Sequence, residues 1–143
     1  MTQPTIEHLV TTCQLGDIGA PSETHVFVAP FPCRLAAGGL VTTNDVMESE
    51  ESFLEVSLIG RRFGDERQIV TKTTKVETGE EISAGTYWHF DVCEWDREAR
   101  HLATGAVVSL RVRPGGRETG DQDDRPAVPA LTGVLVALRH EPT

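Results

Sequence analysis

Alternation of apolar and polar residues with a period of two is the feature that most restricts what this chain can fold into. Side chains of a strand point alternately to opposite faces, so this period marks a strand with one buried face. Over residues 53–59, Leu54, Val56 and Leu58 share one face, and Glu55 and Ser57 share the other. Over 86–93, Trp88, Phe90 and Val92 oppose Tyr87, His89 and Asp91. Over 106–113, Val108, Leu110 and Val112 alternate with Ser109, Arg111 and Arg113, and over 133–140 Val134, Val136 and Leu138 form one row. Weaker runs at 6–13, 24–30 (Val26 and Val28 in one row), 33–43 and the Thr- and Val-rich 67–76 complete the set. The rows predict a core built from Leu54, Val56, Leu58, Trp88, Phe90, Val108, Leu110, Val134 and Val136.

Strand-like segments separated by turn chemistry predict an all-β fold: a single β-sandwich or jelly roll of about eight strands, spanning residues 1–143. The stretch from Leu15 to Pro21 reads as a loop, and Arg61-Arg62-Phe63-Gly64-Asp65 as a hairpin connection. Thr78-Gly79-Glu80-Glu81 opens another turn. Gly38-Gly39 would allow a bulge or bend inside the third run. Helix is scarce: the stretch from Asp96 to Leu102 suits one short turn, with Asp96 as its N-cap. Residues 1–5 read as an N-terminal arm and 114–129 as a polar Gly/Pro loop. Both hold too little apolar area to offset their ordering entropy, so one or both are expected to be mobile alone and to become ordered against a partner.

The remaining composition narrows the function classes. A chain of 143 residues can bury one core without disulfides or metals. The three cysteines, Cys13, Cys33 and Cys93, are odd in number and lack CxxC spacing, which suits reduced, partly buried thiols. Glu94 beside Cys93 would raise that thiol's pKa, the wrong direction for a nucleophile. The net charge of −9 repels phosphate backbones, so no nucleic acid is expected as partner unless Arg111 and Arg113 form an isolated basic patch. Eleven of the 13 basic residues are arginines, which favours bidentate contacts to carboxylates on another protein. No apolar stretch is long enough to cross a bilayer, so no membrane association is expected. Met1-Thr2-Gln3-Pro4 lacks the basic start and apolar core of a signal peptide, which points to use without Sec export.

Motifs that carry chemistry are missing. The histidines at positions 8, 25, 89, 101 and 140 form no HxH, HxxxH or HExxH, and bringing His25, His89 and His140 together would need a chance alignment of three strands. A cupin-type barrel would show a close His pair followed by Glu; here His89 precedes Glu94 without a companion. No GxSxG or phosphate-binding loop is present. The acidic run Glu48-Ser49-Glu50-Glu51 reads as solvated surface rather than an acid/base pair. Asp121, Asp123 and Asp124 lack the bend glycine and distal Glu of a calcium loop. Among the aromatics, Trp88 belongs to the core row, and Tyr87 and His89 face the other way, towards surface or interface. The sequence therefore assigns no catalytic, cofactor-binding or metal-ligating residue, and no enzyme activity or cofactor is expected.

With the strands placed, a family resemblance emerges. His25-Val26-Phe27-Val28-Ala29-Pro30-Phe31-Pro32-Cys33-Arg34-Leu35, the ladder strand Ser52-Phe53-Leu54-Glu55-Val56-Ser57-Leu58, and Thr71-Lys72-Thr73-Thr74 followed by Ile82-Ser83-Ala84-Gly85-Thr86 are its first elements. Leu102-Ala103-Thr104-Gly105-Ala106-Val107-Val108-Ser109-Leu110, with Ala106 where an Asp is common, and Leu131-Thr132-Gly133-Val134-Leu135-Val136 complete it. The pattern, over roughly residues 24–140, resembles the capsid decoration or cement proteins of tailed bacteriophages; the 114–129 loop departs from it. The resemblance implies a β-sandwich or jelly roll made in the host cytoplasm. It implies placement on the capsid exterior of the virion as a homotrimer bound to the major capsid protein. It also implies no cofactor and no catalysis. A carbohydrate- or receptor-binding β-domain on a virion and a small cupin-like enzyme are the alternatives.

Overall fold

A computed structural model describes residues 9–91, 94–115 and 130–143. The strands are β1 (Leu9–Ile18), β2 (Ser22–Val28), β3 (Cys33–Val41), β4 (Leu54–Arg62), β5 (Asp65–Thr73), β6 (Trp88–His89), β7 (His101–Leu102), β8 (Val107–Pro114) and β9 (Leu131–Pro142). They form two sheets. One runs β1-β9-β3-β6, with β7 also on β3; the other runs β2-β8-β4-β5. Every strand pairing in both sheets is antiparallel. The architecture is an all-β sandwich.

The alternating rows decide which faces meet. Leu54, Val56, Leu58, Val108, Leu110 and Val112 point inward from one sheet, and Leu40, Trp88, Val134, Val136 and Leu138 from the other. All of these are at most 2% exposed, as is Phe90, so the core residues expected from alternation lie in the core. Two buried polar groups are satisfied across the connections: Leu54 N donates to Thr74 Oγ1 at 2.9 Å, and Thr42 Oγ1 donates to Asn44 O at 2.7 Å. The long connections between strands are pinned by isolated bridges, Val46 to Ile82 and Ser49 to Lys75.

Several expected boundaries move, each for a local reason. The stretch from Leu15 to Pro21 is not all loop. β1 continues to Ile18 through two register shifts against β9, made possible by Gly16 at φ +72° and Gly133 at φ +54°. Asp17 Oδ1 accepts from Gly133 N at 3.0 Å, and Ile18 is buried. Among the described residues of the 86–93 run, Trp88 and His89 alone are paired strand. Phe90 N still donates to Gly38 O at 2.9 Å, then the chain turns, with Glu94 N bonded to Asp91 O. The third and fifth runs end early, at Val41 and Thr73.

Gly38-Gly39 is no bulge. The irregularity in β3 falls between Leu35 and Ala37, and the glycines serve close approach instead. A Cβ on Gly39 would stand 2.5 Å from Trp88 O, and one on Gly38 would stand 2.8 Å from Leu138 Cδ2. Asp96 does cap a turn, its Oδ1 accepting from Glu98 N at 2.9 Å and Ala99 N at 2.8 Å, but the chain leaves that turn as strand β7. The expectations for the arm at 1–5, for Val92 and Cys93, and for the loop from 116 to 129 with Asp121, Asp123 and Asp124 fall outside the described residues.

Candidate functional site

The β4–β5 hairpin supplies the most distinctive feature of the surface. Its strands pair down to Arg62 opposite Asp65, which leaves Phe63-Gly64 as a two-residue turn. Both turn residues have positive φ, 49° at Phe63 and 86° at Gly64, the signature of a type I′ turn. Asn-Gly is the sequence such turns favour. A phenylalanine there carries the left-handed penalty of about 1–2 kcal/mol without a compensating local hydrogen bond. It gains no burial in return, since Phe63 is 91% exposed. Among the described residues its ring partner is the Arg62 guanidinium, 4.7 Å from the ring centroid.

Two hollows flank this ring. One, of about 290 Å³, lies between the hairpin and the 98–106 segment and is bordered by Arg61, Arg67, Asp65, Glu98 and His101, with Leu102 at its floor. The other, of about 320 Å³, is bordered by Phe63, Thr104, Gly105 and Val107. The facing segment is fixed by backbone bonds: Gly105 N to Ala29 O at 2.7 Å and Ala29 N to Ala106 O at 2.9 Å. Arg61 is not available to a ligand on its own terms. It is held by Glu23 at 2.7 Å and Glu66 at 2.8 Å, and Arg111 bridges the same two carboxylates. Burial pushes the Glu23 carboxyl up, but hydrogen bonds from Arg111 and Arg61 outweigh that and hold it below its ordinary value. Arg62 and Arg67 make no ion pair among the described residues, so the hairpin tip presents a ring flanked by cations.

The Arg111/Arg113 patch considered from sequence is not isolated: Arg111 is neutralised by Glu23 and Glu66, and Arg113 sits opposite Glu55. A second hollow region, of about 230 Å³, has Glu48, Glu80, Glu81, Thr86 and Tyr87 at its walls. There Lys72 bonds Glu80 at 2.6 Å and stands 4.6 Å over the Trp88 ring, whose Nε1 donates to Glu80 O at 3.2 Å. Tyr87 is 43% exposed while Trp88 is buried, as alternation places them.

The histidines are dispersed. His25 bonds Ser109 Oγ at 2.8 Å on β2, His89 faces outward beside Tyr87, and His101 borders the first hollow. His140 points inward, 4% exposed, its ring 4.7 Å from Phe27 and 6.2 Å from Phe31. Its Nδ1 has no hydrogen-bond partner among the described residues, and burial pushes its pKa down. His8 lies outside the described residues; among those described, no three His, Cys, Asp or Glu side chains converge as a metal site. Cys13 and Cys33 are free thiols, half-buried and buried, and burial pushes the Cys33 thiol up, away from thiolate chemistry.

Sequence reasoning found the hairpin but gave Phe63 no weight. The signal was present: a large aromatic directly before Gly in a turn, where alternation offers it no buried face. No family model matches the chain, and neither a curated protein nor a solved structure is significantly similar to it.

Proposed function

We propose that the chain is a structural protein-binding module that decorates the outside of a phage capsid, gripping the major capsid protein with its β4–β5 hairpin end. The observation that carries the docking end is Phe63. Backbone strain at an exposed site persists when function requires the side chain. An exposed aromatic beside arginines and flanking hollows has the composition of an interface hot spot. The arginines at the tip suit carboxylates on a partner. The capsid as partner rests on the strand-and-turn resemblance over residues 24–140. The role of such a binder is linkage: a ligand that holds only the assembled shell stabilises it by mass action.

The experiment has two arms. The gene is expected beside a major capsid gene, and the purified protein is expected to co-sediment with shells of that capsid. Phe63→Asn, which suits the turn better, should stay folded and lose binding by at least about tenfold, a hot-spot loss of 1.4 kcal/mol or more. A protein that stays in the supernatant sinks the capsid reading. Binding unchanged in Phe63→Asn moves the docking surface elsewhere. A second reading, sugar binding, draws on the half-exposed Tyr87 beside Glu48, Glu80 and Glu81. Glycan-array binding lost in Tyr87→Ala but kept in Phe63→Asn would favour it.

A further inference from the structure

The two hollows beside the Phe63 ring differ in charge. Asp65 and Glu98 stand on the walls of the first, together with Arg67 and His101. The second, of about 320 Å³, has two arginines, Arg61 and Arg62, and no acid among the residues that line it. Its apolar side is made by Phe63 and Val107, and register sets Val107 beside Val28, which is 58% exposed. Of its two cations, Arg61 is already paired with Glu23 and Glu66. Arg62 makes no ion pair among the described residues and lies 4.7 Å from the centroid of the Phe63 ring.

A chain with a net charge of −9 repels an approaching carboxylate over most of its surface. An acid-free hollow that holds an unpaired guanidinium draws one in. We infer that the second hollow is the socket of the docking end, and that its occupant is an extended segment of a partner protein with an apolar side chain and an Asp or Glu on the same side. The inference rests on the reading of the hairpin end as a protein-docking surface. The apolar side chain lies against Phe63 and Val107, and the carboxylate meets Arg62, whose planar fork takes both oxygens. Side chains two positions apart share one side of an extended chain, about 7 Å from each other. The carboxylate comes from a side chain and not from a chain terminus. Capture of a terminal carboxylate uses a nest of free backbone N–H groups. On this wall Gly105 N is bonded to Ala29 O at 2.7 Å and Ala106 N to Ala103 O at 3.0 Å. The hollow lies at the lower end of the range for small-molecule sites, about 300–1,000 Å³, which suits one side chain and its neighbour rather than a cofactor.

Amide chemical-shift titration of the full chain tests this with a short capped peptide whose centre reads leucine, glycine, aspartate, added to about 10 mM. The amides of Gly64, Gly105 and Val107 are expected to shift. Binding is expected to weaken at least about threefold when asparagine replaces the aspartate, and by as much in Arg62→Gln. Thr104→Glu sets a carboxylate beside the hollow from an exposed turn and is expected to weaken binding to the same degree. Circular dichroism checks folding, and Arg62→Gln, at an exposed position, serves alone if Thr104→Glu does not fold. Arg67→Gln, on the first hollow, is expected to bind the peptide as the wild type does. Four results overturn the inference: equal binding of the aspartate and asparagine peptides, no shift at these amides, the same loss in Arg67→Gln as in Arg62→Gln, or tighter binding of a peptide that ends in a free leucine carboxylate. The shell assay of Phe63→Asn is read apart from these. Shell binding lost there, with no peptide response, strikes the socket and leaves the docking end standing. A peptide response without shell binding sustains the socket and removes the capsid as partner.

Discussion

Lowering the pH should destabilise this protein through His140. The imidazole sits at the end of the inward row of β9, between the rings of Phe27 and Phe31, with Nδ1 buried and no partner for it among the described residues. A charged imidazolium there would have Nδ1 cut off from water, so desolvation holds the folded pKa below its ordinary 6.5. The sign follows from linkage. Between the folded and unfolded pKa values the unfolded chain binds more protons, so stability rises with pH in that window. The contribution is complete above the unfolded value, is lost as pH falls below it, and levels off beneath the folded value. One proton sets the ceiling: the slope cannot exceed about 1.4 kcal/mol per pH unit. Glu23, whose folded pKa is lowered from 4.5, adds a loss only at more acid pH, so the two effects separate. The assay is urea unfolding of the wild type and His140→Leu at about pH 7.5, 6.5 and 5.5, bracketing the ordinary histidine value. The stability difference between the two should shift in favour of His140→Leu below pH 6.5, approaching that slope. Parallel pH profiles would refute the reasoning, because they would mean that His140 is solvated or paired when protonated.

Other perturbations follow from the packing. Trp88→Ala removes a ring that is 2% exposed and packs edge-on against Phe90 at 6.0 Å; urea unfolding should show a loss of about 3–5 kcal/mol. Gly39→Ala drives a methyl against the backbone of β6 and should cost about 1–3 kcal/mol by the same assay. Phe63→Asn relieves the left-handed strain at φ 49° and should raise the unfolding midpoint slightly, by up to about 1 kcal/mol in stability; a loss would show that the ring packs after all. With the described histidines dispersed, the dialysed protein is expected to carry no stoichiometric zinc, iron or manganese by mass spectrometry; a retained metal would revive the cupin-like alternative.

Alternation alone determined the inward rows, because the period of a strand is a local property of the backbone. Leu54, Val56, Leu58, Val108, Leu110, Val134 and Val136 needed no tertiary information to be placed in a core. The hairpin at Arg62 to Asp65 was equally legible, since Gly64 marks a turn and the flanking runs alternate. What sequence left open depends on contacts between distant segments. The continuation of β1 to Ile18 is decided by Gly133, 115 or more positions away, which lets β9 keep pairing past the bulge. The role of Gly38-Gly39 is decided by Trp88 and Leu138 crossing them, and a pair of glycines reads the same whether it bends a strand or admits a neighbour. His140 looks like any terminal polar residue until β2 and the Phe31 turn close over it. The candidate docking end was half legible: its turn could be read, but that Phe63 stands between two hollows depends on the 98–106 segment lying across from the hairpin. The meeting of Glu23, Arg61, Glu66 and Arg111 on one outer face is likewise tertiary. Each strand announces its own outward residues, but which outward rows become neighbours is fixed by strand order, and that order arises from pairings that no local pattern encodes.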